Sequence, residues 1–220
     1  MNIKAAIFDM DGTLVDSLML WDILWSTFGT AYLQDPAFRP RTEDDKTVRT
    51  LTLKDAMELI HRSYGIGSSG AELLDHANRM MLDFYANRVE LKPGVKEFLQ
   101  QRKAQGVKMC IATATAMELV SVAMEHCGLY EYFPRVFSCG DIGKGKDQPD
   151  IFLQAAAYLG APAEETWLFE DSLTAVETAK TIGMPVVGIY DRYNYGQERI
   201  RELADFYIAP GETLLKLPLR

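Results

Sequence analysis

The sequence predicts an α/β protein, a doubly wound parallel sheet with an all-helical segment inserted after its first strand. Three observations predict it. Short apolar runs alternate with helical stretches from Leu91 onward, residues 17 to about 88 carry helical periodicity, and several of the apolar runs end in Asp, Thr or Glu. In an open parallel sheet, ligands sit beyond the carboxyl ends of the strands, so residues at those ends are the first candidates for chemistry.

The first run, Ala5-Ala6-Ile7-Phe8, reads as a buried strand that delivers Asp9 to the functional edge. Asp11 follows two residues later, and continued extended backbone would put both carboxylates on one side while Gly12 and Thr13 turn the chain away. Leu18, Trp21, Trp25, Phe28 and Tyr32 then recur at three- and four-residue steps, one face of a helix about four turns long. Asp35-Pro36 through Pro40 interrupts it. Thr52-Leu53-Lys54-Asp55 resembles a capping box opening a second helix with Ala56, Leu59 and Ile60 inward. The stretch Gly65 to Gly70 is read as a linker, since it neither follows a strand nor carries the Lys-Ser/Thr of a phosphate loop. Leu73, Ala77, Met80, Met81 and Phe84 mark a third helix.

Beyond Leu91, Pro93-Gly94 opens a helix that Gly106 closes, and Val107 to Ala112 is a strand ending in Thr113-Ala114-Thr115. A helix from about Met117 to Cys127 leads to a short strand, Arg135 to Ser138. Lys144 and Lys146 precede a helix from Pro149 to Leu159, and Trp167-Leu168-Phe169 is a strand ending in Glu170-Asp171-Ser172. A further helix through Ile182, a strand from Pro185 to Ile189 and a sixth at Phe206 to Ile208 complete the pattern. The implied division is a core of residues 1–15 and 90–220 with a helical insert of residues 16–89.

Composition limits what this architecture serves. No stretch of the 220 residues approaches the roughly 20 consecutive apolar residues of a membrane span, and no signal-peptide pattern precedes Asp9. A cytoplasmic protein with no membrane partner is expected. A net charge of -8 argues against a nucleic-acid partner and for small substrates. Cys110, Cys127 and Cys139 form no C-x-x-C pair and read as buried free thiols, while His61, His76 and His126 read as packing or surface residues.

Asp9, Thr113, Lys146, Glu170 and Asp171 can converge on one crevice at the switch point of such a sheet, with Asp11 beside them. Carboxylate pairs about 4 Å apart repel by about 4 kcal/mol each at an effective dielectric near 20, so a cation is needed, and hard oxygen ligands favour Mg²⁺. With that ion and Lys146 neutralising a phosphate, Asp9 can attack phosphorus while Asp11 protonates the leaving oxygen and later deprotonates water. Thr113 and the N–H groups around Ala114 would hold the transferring oxygens.

On these motifs the chain resembles the haloacid dehalogenase superfamily, in its phosphatase and beta-phosphoglucomutase-like branch. Asp9-Met10-Asp11-Gly12-Thr13 is similar to the first motif, Thr113 to the second, Lys146 with Pro149-Asp150 to the third and Glu170-Asp171-Ser172 to the fourth. The resemblance implies a Rossmann-like core, Asp9 as nucleophile, Asp11 as acid/base, and Mg²⁺ held by Asp9, the Asp11 carbonyl and Asp171 with Glu170 nearby. It also implies that the insert is a mobile cap, and that Gly12, Thr13, Ala114, Trp21, Arg49 and Thr52 line the site for a small phosphorylated metabolite.

Departures from the family pattern are Asp147, where a proline is usual and which leaves Lys144 as a second candidate for the phosphate contact, and Ala175, where glycine is common. In the phosphomutase relatives a cap histidine and a cap arginine serve the acceptor sugar. Their places fall on Trp21 and Thr52, with Arg49 close to the latter, so hydrolysis is expected over phosphoryl transfer to a sugar. A receiver-type signalling module would carry its acceptor aspartate after the third strand, at Ser138 to Asp141, and has no place for the insert. A silent phosphate-binding protein on this fold is the remaining alternative.

Overall fold

The computed structural model describes residues 3–49 and 51–218. They form two compact units, one running to Leu18 and resuming at Val89, the other spanning Met19–Arg88. From the sequence these boundaries are expected at 15/16 and 89/90. Residues 16–18 stay with the first unit because the connecting segments pair: Val15 bridges Leu91, Asp16 N–H donates to the Glu90 carbonyl at 2.9 Å, and Lys92 N–H donates to the Leu14 carbonyl at 2.9 Å.

Strand β1 (Ala5–Phe8) is buried along its whole length, as its unbroken apolar run requires of a strand covered on both faces. Ala5 and Ile7 join one core cluster. Phe8, on the other face, stacks on Phe169 at 4.3 Å and meets Phe133 and Phe98 edge-on at 5.5 and 6.4 Å.

The second unit is helical. Helix α1 (Leu20–Phe28) buries Leu20, Leu24, Trp25 and Phe28. The longer helix expected from the sequence continues past Phe28, but its last turn differs: residues Gly29–Leu33 widen into a π-helical turn that ends at Gln34 with φ 57°. A Cβ at Gly29 would lie 2.1 Å from the Asp35 carbonyl oxygen and 2.5 Å from Phe38, so the returning segment fits only against glycine. Helix α2 (Thr42–Val48) has no apolar periodicity to mark it in the sequence, since it has almost no apolar face. It is held instead by polar contacts, Trp25 Nε1 to Asp45 at 2.8 Å and the Tyr64 hydroxyl to Asp44 at 2.5 Å. Helix α3 (Leu53–Tyr64) starts at the expected cap, with Thr52 Oγ1 accepting the Asp55 N–H at 3.2 Å. Helix α4 (Gly70–Asn87) packs Leu73, Ala77, Met81 and Phe84 inward.

The first unit then resumes with α5 (Val95–Ala104), β2 (Lys108–Thr113), α6 (Met117–His126), β3 (Val136–Ser138) and the single turn α7 (Cys139–Ile142). It continues through α8 (Asp150–Leu159), β4 (Thr166–Glu170), α9 (Leu173–Thr181), β5 (Val186–Ile189), α10 (Gln197–Leu203) and β6 (Phe206–Ile208). Every strand pairing is parallel and the order is β3-β2-β1-β4-β5-β6, a Rossmann-like arrangement whose winding reverses between β1 and β4. Helices α8, α9 and α10 cover the face bearing Ile7, Cys110 and Leu168. Burial there pushes the Cys110 thiol up to about 12, and all three cysteines are free.

Replacing Phe8 by alanine removes the centre of the aromatic cluster and is expected to lower stability by about 3–5 kcal/mol. Urea unfolding followed by tryptophan fluorescence measures this, and an unchanged midpoint would remove the cluster from the account of the core.

Candidate active site

Register assembles the site. Phe8 of β1 pairs with Phe169 of β4, and the Asp9 N–H donates to the Phe169 carbonyl at 2.9 Å, so Asp9 and Glu170 leave adjacent strands side by side at the switch point. One ligand oxygen from each of Asp9, Glu170 and Asp171 lies within 4.8 Å of the others, and all three residues are buried. Lys146 bridges two of them, donating from Nζ to Asp9 Oδ1 and, at 2.7 Å, to Glu170 Oε2. The remaining Glu170 oxygen accepts the N–H groups of Asp171 at 3.2 Å and Ser172 at 3.0 Å, an anion folded onto the start of α9. Lys144, the second lysine candidate, pairs instead with Asp150 at 2.6 Å and is half exposed.

The first loop turns sharply after Asp9. Leu14 and Val15 N–H both donate to the Met10 carbonyl, and Gly12 takes φ +79°. A Cβ at Gly12 would sit 2.3 Å from Asp171 Oδ2, so glycine is required both by conformation and by the close carboxylate. Thr13 Oγ1 donates to Asp171 Oδ1 at 3.0 Å. The chain is therefore not extended through Asp11, whose carboxylate stands outside the three-carboxylate cluster. Its two oxygens accept hydroxyls, Ser17 at 2.6 Å and Thr115 at 2.6 Å. Thr113 is buried and its Oγ1 accepts the Thr115 N–H at 3.0 Å, while Ala114 is exposed at the end of β2. Ser17 and Thr115 were not singled out from sequence, although both lie near motif residues.

Electrostatics favour a cation here. Burial pushes the Asp9 carboxyl well above its usual range against the pull of Lys146, with Glu170, Asp171 and Asp11 adding repulsion. Burial and Glu170 push Asp171 up to about 7. Burial opposes the Lys146 ammonium, but Asp9 and Glu170 outweigh it and hold its pKa above the ordinary value. Three buried carboxylates facing one ammonium leave a net negative centre of hard oxygen donors, and these residues fit a divalent ion such as Mg²⁺.

Trp21, Arg49 and Thr52 belong to the helical unit. Arg49 Nε donates to Asp45 at 2.9 Å and its guanidinium carbon lies 5.6 Å from the Trp21 ring centroid. The Thr52 hydroxyl caps α3 and donates to Asp55 Oδ2 at 2.7 Å, so both its hydrogen-bonding roles are engaged within the cap of that helix. A cavity of about 620 Å³ lies at the other end of the sheet, around Lys4, Lys108 and Gly160, and contains none of the carboxylates.

A carboxylate and lysine centre at the switch point of a 3-2-1-4-5-6 sheet defines an α/β enzyme core. The chain belongs to the haloacid dehalogenase-like hydrolases, whose family model matches residues 6–189. It is 25% identical over 213 residues to the phosphorylated carbohydrates phosphatase of Thermotoga maritima, covering 96% of each chain. It is 29% identical over 197 residues to the phosphoglycolate phosphatase of Nitrosococcus oceani, covering 86% of this chain and 85% of that protein. The crystal structure of CbbY from Rhodobacter sphaeroides in complex with phosphate has the same fold, with a TM-score of 0.75 at 23% identity over 94% of this chain and 93% of that one. No helix among the described residues is long and apolar enough to cross a membrane.

Gly12→Ala is expected to displace the Asp171 carboxylate and reduce turnover by about 100-fold. Steady-state assay with circular dichroism as a folding control checks it, and full activity in the folded variant would show that the loop yields without moving Asp171.

Proposed function

We propose that this hydrolase is a Mg²⁺-dependent phosphatase that cleaves a small phosphomonoester through a phosphoryl group carried on Asp9. The observation that carries the reading is the buried meeting of Asp9, Lys146, Glu170 and Asp171 at the switch point, with Asp11 next to it. An Asp9 carboxylate oxygen attacks phosphorus, and the bond to the leaving oxygen breaks as Asp11 gives that oxygen a proton. Asp11 then takes a proton from water, which attacks the aspartyl-phosphate, releases inorganic phosphate and restores Asp9. Lys146 offsets negative charge at Asp9 and at the transferring oxygens, and Thr113 with the Ala114 N–H orients them. Asp9, Asp171 and the Asp11 carbonyl would hold Mg²⁺, with Glu170 alongside, and the ion supplies charge neutralisation for two anions brought together.

Ser17 and Thr115 hold the Asp11 carboxylate by both oxygens, and they set its direction until substrate arrives. The helical unit is proposed to act as a cap that closes over the centre and controls water, with hinges near Val15 to Ser17 and Arg88 to Lys92. Discharge to water is favoured over transfer to a sugar because Trp21 offers no base and the Thr52 hydroxyl is engaged with Asp55. Two relatives are named for phosphorylated carbohydrates and for phosphoglycolate, and these two classes are the first substrates to assay.

Excess chelator is expected to abolish phosphate release and added Mg²⁺ to restore it; turnover that survives chelation would exclude the ion from the reaction. Asp9→Asn is expected to prevent phosphoryl trapping on the protein, and Asp11→Asn to slow turnover by about 10²–10⁴-fold. Mass spectrometry after rapid quench decides, and a phosphoryl group found on another residue would reassign the nucleophile. With beta-glucose 1-phosphate and catalytic glucose 1,6-bisphosphate, formation of glucose 6-phosphate without phosphate release would establish a phosphomutase instead.

A further inference from the structure

One residue touching the carboxylate centre comes from a loop that no motif marks. After β5 the chain runs through Asp191-Arg192-Tyr193-Asn194, and the Asn194 side-chain amide reaches back to Asp171. Its Nδ2 donates to Asp171 Oδ2 at 2.8 Å and to the Asp171 carbonyl at 3.1 Å, while its Oδ1 accepts the Tyr195 N–H at 3.0 Å. All three partners fix the same amide orientation, since the flipped group would set an oxygen against two acceptors and an NH₂ against an N–H.

The loop that presents this amide is itself anchored. Asp191 is buried, and its Oδ1 accepts the Tyr193 N–H at 2.8 Å while its carbonyl accepts the Asn194 N–H at 3.2 Å. Its Oδ2 pairs with Lys92 Nζ at 2.7 Å, and the same ammonium donates to the Tyr190 carbonyl at 3.2 Å. Lys92 is tied in turn to the first loop through its N–H on Leu14. A turn, an ion pair and a backbone bond therefore hold Asn194 against the fourth-strand loop.

We propose that Asn194 is a positioning residue for the metal centre, holding the Asp171 carboxylate in the orientation that binds a divalent cation; this rests on the cation reading given above. Asp171 receives one neutral donor on each oxygen, Thr13 on Oδ1 and Asn194 on Oδ2, with Gly12 leaving the room that Oδ2 occupies. Each oxygen keeps a further lone pair for an ion. Neutral donors suit this task. A lysine at 194 would compete with the cation as counter-ion, and an aspartate would repel Asp171. Outer partners of this kind orient metal ligands and typically change metal affinity by about 10–100-fold.

The test uses Mn²⁺ as an observable stand-in for Mg²⁺, titrated into the full chain without substrate and followed by the electron paramagnetic resonance signal of the free ion. Asn194→Ala is expected to raise the Mn²⁺ dissociation constant by about 10–100-fold. Asn194→His keeps a ring N–H at similar reach and is expected to recover much of the loss. In assays, the Mg²⁺ concentration for half-maximal rate should rise in Asn194→Ala while turnover at saturating Mg²⁺ changes little. Equal Mn²⁺ affinity in wild type and Asn194→Ala would overturn the positioning role while leaving the cation reading intact. Equal weakening in both variants would also overturn it, assigning the loss to the loop and not to the donor. A wild-type chain that binds no Mn²⁺ would refute the cation reading, and this inference with it.

Discussion

The pairing of Phe8 with Phe169 is the constraint on which the site depends. Parallel strands have a side-chain period of two, so slipping β1 by one residue would exchange its two faces and carry Asp9 away from Glu170. The register is secured from both sides of the sheet. Ala5 and Ile7 are packed under α8 and α9 on one face, and Phe8 is locked among Phe98, Phe133 and Phe169 on the other. Hydrophobic packing of the residues just before Asp9 and Glu170 thus fixes where two acids emerge.

Having brought like charges together, the fold answers their repulsion in different ways. Lys146 is shared between Asp9 and Glu170, and Glu170 also accepts backbone N–H groups at the start of α9. Asp171 is bonded by uncharged donors, and Asp11 is drawn aside by two hydroxyls. Only the first of these arrangements cancels charge. The others fix the direction of hard oxygen donors without adding a positive charge to the centre.

The helical unit is organised by a different rule. Its α3 and α4 meet through apolar faces, but α2 is attached by Asp44 and Asp45, which receive Tyr64 and Trp25. An amphipathic pattern is absent from Thr42–Val48, so its helicity depends on partners about 20 residues away in sequence. Arg49, a candidate substrate contact by sequence, is held at Asp45 beside the Trp21 ring.

The sequence by itself determined the alternation of strands and helices, the insertion after the first strand, and the strand-end residues Asp9, Thr113, Glu170 and Asp171. These are local properties: apolar runs, the cap at Thr52, and an acid placed where a run stops. It also preferred Lys146 and kept Lys144 as a weaker second candidate, because two lysines this close along a loop are told apart fully only when one ammonium is seen bridging buried acids and the other bonded to Asp150. Tertiary structure alone decided that Asp11 turns toward Ser17 and Thr115, since the turn follows from Gly12 fitting under Asp171, 159 residues away. It alone brought in Asn194, whose contact with Asp171 exists only because β4 and β5 are neighbours and their loops meet. Periodicity and spacing record what a segment does with its own backbone; contacts between distant loops depend on strand order and register, and these emerge only when the whole sheet is packed.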